Sequence, residues 1–233
     1  MNAIFCAAAV GRQPHRQRLT VAGYDVELAS LAVDQHDGSE PAAARALAED
    51  LAAIRLGTDR RDLRIAPLAP SGRPVLLVAG RVAGIAVSLS HVAGLVAAAV
   101  ATSPGVGVDL VDPAEAGRGL DFWLTPEELA LEPDEGLLRA RLWAAKEAAY
   151  KAAGLDEELR PRTVSIESLG LHTFTWSARS SFTTAAGAGR FLSTGRHVVA
   201  VAVAASRAEA HASTEASAAS GATTIHPLES ALA

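Results

Sequence analysis

The chain has 233 residues, 49% of them hydrophobic and 20% charged, with a formal net charge of −5. This length supports one sizeable core or two smaller ones. The absence of any basic excess or long charged run excludes nucleic acid as the expected partner. A single cysteine, Cys6, excludes an intramolecular disulfide framework and is compatible with a reducing, cytoplasmic compartment.

The opening residues 1–10 are apolar with no positive residue before them, which reads as a first strand rather than a signal peptide. An irregular passage rich in arginine (Arg12, Arg16, Arg18) follows, then a strand over 24–33 and a turn at Asp37-Gly38. Residues 41–56 read as a helix, with Ser39 as its cap, Leu47, Leu51 and Ile54 as its buried stripe and Gly57 at its end. Strands are expected over 63–68, 75–79 and 85–89, with 70–74 as a proline- and glycine-bearing turn between the first two. The apolar run 82–101 has membrane-spanning length, but Ser88, Ser90 and His91 interrupt it and Gly84 and Gly94 punctuate it. Two buried strands around a polar elbow are therefore expected, and no membrane partner.

Further along, 103–113 carries a strand whose alternation puts Val106, Val108 and Leu110 on one face and Asp109 on the other. Residues 117–119 read as a loop, and Thr125-Pro-Glu-Glu128 as a helix start with acids near its positive end. A long helix follows, with Leu138, Leu142, Ala145 and Ala149 at helical spacing and Gly154 terminating it. Strands are expected over 163–169, 172–178 and 196–203, and the Ala/Ser/Thr/Glu-rich 207–233 as a disordered tail. The order of elements, a helix ending at Gly57 then strands and a helix ending at Gly154 then strands, suggests an α+β fold of two pseudo-symmetric halves, 1–104 and 105–206. These would meet at a cleft.

Lys146 and Lys151 are the only lysines in the chain, and the remaining nineteen basic side chains are arginines. Two compact ammonium groups set around Glu147 suit phosphate oxygens better than a generic cation site requires. On spacing alone, Glu147 and Lys151 also form an ordinary i,i+4 surface pair. A carboxylate in the middle of a Val/Leu strand, Asp109, calls for a cap or a cation. Together with Glu147 and the lysines it forms a plausible magnesium–diphosphate site, since magnesium commonly takes one or two carboxylates and keeps water and phosphate oxygens. Neither a Gly-x-x-x-x-Gly-Lys loop nor a Rossmann fingerprint is present.

Gly107-Val-Asp109-Leu-Val and Trp143-Ala-Ala-Lys146-Glu147-Ala-Ala-Tyr-Lys151 resemble, in order and spacing, the two signature motifs of the 4′-phosphopantetheinyl transferases. Ser71-Gly-Arg73-Pro74 and Ser88-Leu-Ser90-His91 resemble the family's upstream nucleotide-contacting motif. The resemblance is to the two-half, broad-specificity, surfactin-synthetase-activating type. It implies Mg²⁺-dependent transfer of phosphopantetheine from coenzyme A to a serine of an apo acyl or peptidyl carrier protein, with release of adenosine 3′,5′-bisphosphate, by a monomer. It implies Asp109 and Glu147 as metal ligands, Lys146 and Lys151 on the diphosphate, and Glu147 as the base for the serine hydroxyl, with Lys151 beside it in the catalytic set. Arg73, Ser90 and His91 would contact the adenine or 3′-phosphate, and Arg45 resembles a further 3′-phosphate contact. The two-half members carry a second acid where this chain has Val111, whereas Val111-Asp112 resembles the smaller holo-acyl-carrier-protein synthases. That departure implies one fewer protein ligand to the metal, with water in its place. Two other readings stay open at this level: a non-catalytic module that binds coenzyme A or a carrier protein, and another Mg²⁺-dependent nucleotide hydrolase.

Overall fold

A computed structural model describes residues 13–34, 39–69, 71–116, 118–131, 135–155, 158–160, 162–181 and 183–205. The expected first strand, the Asp37-Gly38 turn, Gly117 and the tail lie outside the described residues.

Two strands open the described chain, β1 (His15–Val21) and β2 (Tyr24–Ala32), followed by helix α1 (Glu40–Leu56). A short three-stranded sheet comes next, made of β3 (Leu63–Leu68), β4 (Arg73–Val78) and β5 (Arg81–Val82). The hairpin β6 (Ala86–Val92) and β7 (Leu95–Ala101) leads through β8 (Gly105–Val111) to α2 (Pro126–Leu129) and the long helix α3 (Glu135–Ala153). Four strands finish it: β9 (Val164–Leu169), β10 (Thr173–Arg179), β11 (Thr184–Thr194) and β12 (His197–Ala204). The main sheets are antiparallel, ordered β1-β2-β7-β6 and β8-β12-β11-β10-β9.

The two sheets share a core. Val21, Val26, Leu28, Ala97 and Ala99 of the first pack with Val106, Val108, Leu110, Val199 and Val201 of the second. Helix α1 covers the other face of the first sheet, burying Ala44, Leu47, Ala48, Leu51 and Ala52. Helix α3 covers the other face of the second, where Leu138, Leu142, Ala145 and Ala149 are buried as the spacing predicted. Val106, Val108 and Leu110 thus share a face of β8, and Asp109 turns to the opposite one, toward α3.

Several elements differ from expectation. The described part of the arginine-rich passage, with Arg16 and Arg18, is an edge strand, β1, in which Leu19 and Val21 face inward and Arg18 meets Glu27 across the ladder. Ile54, expected in the buried stripe of α1, is 57% exposed: it stands at the edge of that stripe in the last turn of the helix, beyond the last buried residue, Ala52. The bend in the long apolar run is not at Ser88–His91 but at Ala93-Gly94, where Gly94 takes φ 77. Those serines sit inside β6 instead. β11, with the sequence TAAGAGRFLST, carries almost no strand-favouring residue over its first half. Its glycines have a steric reason: a Cβ on Gly187 would fall 2.8 Å from the Trp176 ring, and one on Gly189 2.0 Å from Phe174.

Candidate active site

The site grows from a close helix–strand contact. A Cβ on Gly107 would stand 1.8 Å from the Ala148 carbonyl oxygen, and one on Gly105 2.0 Å from that of Ala152. Glycine at both positions, opposite the small face of α3, lets the helix backbone lie directly on β8. Asp109, two residues past Gly107 on the same face, is thereby brought beneath the last two turns of α3.

There the Lys151 ammonium donates to Asp109 Oδ1 at 2.7 Å and to the Val108 carbonyl at 3.1 Å, and stands 4.0 Å from Glu147. Lys151 thus bridges two carboxylates rather than forming an exposed pair with one. Asp109 Oδ1 also accepts from the Ser90 hydroxyl at 2.9 Å. Burial, first, and the neighbouring Asp109 carboxylate push the Glu147 pKa above the usual range, while Lys151 pulls it down. Asp109 is buried, and Glu147 and Lys151 remain about a quarter exposed, at 26% and 27%.

Lys151 also lines a cavity of about 250 Å³. Its walls come from α1 (Arg45), β3 and the turn into β4 (Ile65, Ser71, Arg73), β6 (Ser88) and the end of α3 (Tyr150, Gly154). Arg73 additionally donates to the Gly154 carbonyl at 3.0 Å, tying the β3–β4 hairpin to the helix C-terminus, where a cation is favoured. Two arginines from the first part of the chain and a lysine from the second therefore face one cavity.

Three predicted residues fall elsewhere. Lys146 is 1% exposed, and its ammonium donates to both oxygens of Glu128 at 2.8 and 2.7 Å. Glu128, 2% exposed, also accepts from Ile166 N at 2.9 Å and, in a capping box at the start of α2, from Thr125 N at 2.8 Å. Desolvation lowers the Lys146 pKa and the Glu128 contacts oppose that shift. In this structure the Lys146 ammonium, expected at the diphosphate, is engaged in an internal ion pair. The reason is helical geometry: α3 is covered on nearly all sides, so the residue beside Glu147 points into protein. Ser90, expected at the nucleotide, is buried and hydrogen-bonded to Asp109. His91 is exposed and is not among the residues lining the cavity, since neighbours in a strand face opposite ways. Asp112, the acid after Val111, points away as well; it pairs with Arg196 at 2.7 Å and accepts from Ala114 N. Val111 itself packs in the core under α3.

Sequence reasoning missed Glu128 as the partner of Lys146, although Thr125-Pro-Glu-Glu128 marked it as a capping acid. It also missed Ser90 as a partner of Asp109. Among the described residues, no group of three or more His, Cys, Asp or Glu side chains is placed to hold a metal. Asp109 and Glu147 supply two carboxylates, which suits a hard cation that completes its shell with water and phosphate oxygens and does not suit an all-protein cage.

Two carboxylates, Asp109 and Glu147, thus lie beside a cavity lined by the cationic side chains of Arg45, Arg73 and Lys151, an arrangement whose charges suit a phosphorylated ligand. Residues 105–202 match the family model ACPS, the 4′-phosphopantetheinyl transferase superfamily. The matched stretch runs from β8 into β12 and contains Asp109, Glu147 and Lys151. No curated protein matches the chain. Among the described residues, no helix is long and apolar enough to cross a membrane.

Proposed function

We propose that this protein is a two-half 4′-phosphopantetheinyl transferase that moves phosphopantetheine from coenzyme A to a serine of an apo carrier protein. The observation that carries this reading is Lys151. It joins the Asp109–Glu147 pair, inside the superfamily segment, to a cavity walled by Arg45 and Arg73 from outside that segment. In this reading 1–104 and 105–206 are the halves, and the first supplies what a second subunit would otherwise provide, so the protein works as a monomer.

Asp109 and Glu147 would hold Mg²⁺, which supplies charge neutralisation at the diphosphate when bound. Arg45 and Arg73 bind the adenosine 3′-phosphate end of coenzyme A by charge, and Lys151 holds the diphosphate. Glu147 accepts the proton of the carrier serine, directly or through water. The serine oxygen bonds to the phosphorus that bears pantetheine, and the bond from that phosphorus to the bridging oxygen breaks. Adenosine 3′,5′-bisphosphate leaves with the electron pair. Lys146 has no part in the diphosphate contact here, and its ammonium belongs to Glu128.

The test is incubation with coenzyme A, Mg²⁺ and a panel of apo carrier proteins, followed by intact-mass measurement. A carrier heavier by one phosphopantetheine supports the reading. A folded protein that modifies none of them while binding coenzyme A overturns it in favour of a binding module.

A further inference from the structure

The seam between the two main sheets is bridged by serine hydroxyls. Ser88 Oγ accepts from Val108 N at 3.0 Å and Ser90 Oγ from Leu110 N at 3.1 Å, so β6 runs alongside β8 in the same sense. Both serines are buried, at 2% and 6% exposure. They differ in one respect: Ser90 also donates its proton to Asp109 Oδ1 at 2.9 Å. The polarity of this chain is fixed, because an amide N–H only donates and a carboxylate only accepts, which leaves the serine proton for Asp109.

We propose that Ser90 is a positioning residue that fixes the orientation of the Asp109 carboxylate for a divalent cation. This inference rests on the assignment of Asp109 as a metal ligand. A carboxylate's terminal torsion is soft, with broad wells, and a ligand that swings loses affinity for its ion. Lys151, the other donor to Oδ1, reaches it from a long, partly exposed side chain. Ser90 reaches it from a short, buried side chain whose hydroxyl is itself anchored by Leu110 N. The first part of the chain thus orients a metal ligand in the second, and the serine of the Ser90-His91 pair acts on the metal side of the site rather than on the nucleotide.

Ser88 provides a control, since Ser88→Ala and Ser90→Ala each remove one seam hydrogen bond and only the second releases Asp109. The experiment measures Mn²⁺ binding by the loss of the free-ion electron paramagnetic resonance signal, coenzyme A binding by calorimetry in EDTA, and melting temperature, for wild type, S88A, S90A and S90T. S90A should bind Mn²⁺ on the order of 10-fold more weakly, the lower end of the effect of removing an outer partner of a metal ligand. S88A should bind Mn²⁺ as wild type does while losing a similar amount of melting temperature. S90T, which keeps the hydroxyl, should restore Mn²⁺ affinity, and coenzyme A affinity in EDTA should match wild type in S90A. Normal Mn²⁺ binding by S90A, or equal weakening by S88A, overturns the proposal while leaving the metal assignment intact. A wild-type protein that takes up no Mn²⁺ even with coenzyme A present overturns the assignment and this inference together.

Discussion

Replacing Lys146 separates an internal strut from a phosphate contact. Lys146 and Glu128 are 1% and 2% exposed and joined through both carboxylate oxygens. Lys146→Met leaves a buried carboxylate that keeps its bonds from Ile166 N and Thr125 N but loses its counter-ion. Breaking one side of a buried pair costs about 3–5 kcal/mol. For a chain of this size that is roughly 6–20 °C in melting temperature. The double variant Lys146→Met/Glu128→Leu removes both charges and takes the carboxylate acceptor from the Ile166 and Thr125 N–H groups. At about 1–3 kcal/mol for each N–H left without its acceptor, it should lose roughly 2–6 kcal/mol, so that the second substitution costs little beyond the first. Urea and thermal unfolding of the three proteins give this comparison, and the KM for coenzyme A is measured alongside. Lys146→Met with a wild-type melting temperature and a raised KM would refute the strut and return the ammonium to the diphosphate.

Glu147→Gln should lower transfer on the order of 100-fold, read as kcat at saturating coenzyme A and Mg²⁺. The folded-state pKa of Glu147 is raised, so its contribution to stability is present below the ordinary carboxylate range and lost as pH rises through the folded value. The metal-free Gln variant should accordingly melt no lower than wild type at neutral pH, and the acid limb of the wild-type pH–rate profile should disappear in it. Gly107→Ala forces a Cβ to within 1.8 Å of the Ala148 carbonyl. It should cost about 3 kcal/mol, the upper range for overpacking, seen as a lower urea midpoint, with reduced transfer as α3 lifts from Asp109. Arg73→Ala removes a cation from the cavity wall and should raise the KM for coenzyme A roughly 10- to 100-fold, the scale of a lost charge-assisted hydrogen bond, with kcat little changed.

The strongly periodic parts of this fold were legible from sequence. The α3 stripe, the alternation in β8 and the strand β12 follow from patterns that tertiary structure had no reason to override. β1 and β11 were not legible, for different reasons: the arginines of β1 occupy the solvent side of an edge strand, and β11 uses alanine and glycine because the Phe174 and Trp176 rings lie over it. In the site, Asp109, Glu147 and Lys151 could be picked out because strand and helix periodicity fixes their faces and Lys151 is one of only two lysines. Lys146 shares that rarity yet serves a different end, because a helix enclosed on nearly every side can hide a lysine if a carboxylate arrives from another element. That carboxylate, Glu128, stands on α2, and no local pattern reports which residue it will meet. Ser90 and His91 were treated as a unit, whereas the pleat of β6 sends them to opposite sides.

The most direct test of the central claim couples the two products of one reaction. With coenzyme A, Mg²⁺ and an apo carrier protein, released adenosine 3′,5′-bisphosphate is quantified by chromatography and the phosphopantetheinylated serine by peptide mass spectrometry. The account predicts the two in equal molar amounts and neither product in EDTA. Bisphosphate released without a modified serine would contradict it and make the protein a hydrolase.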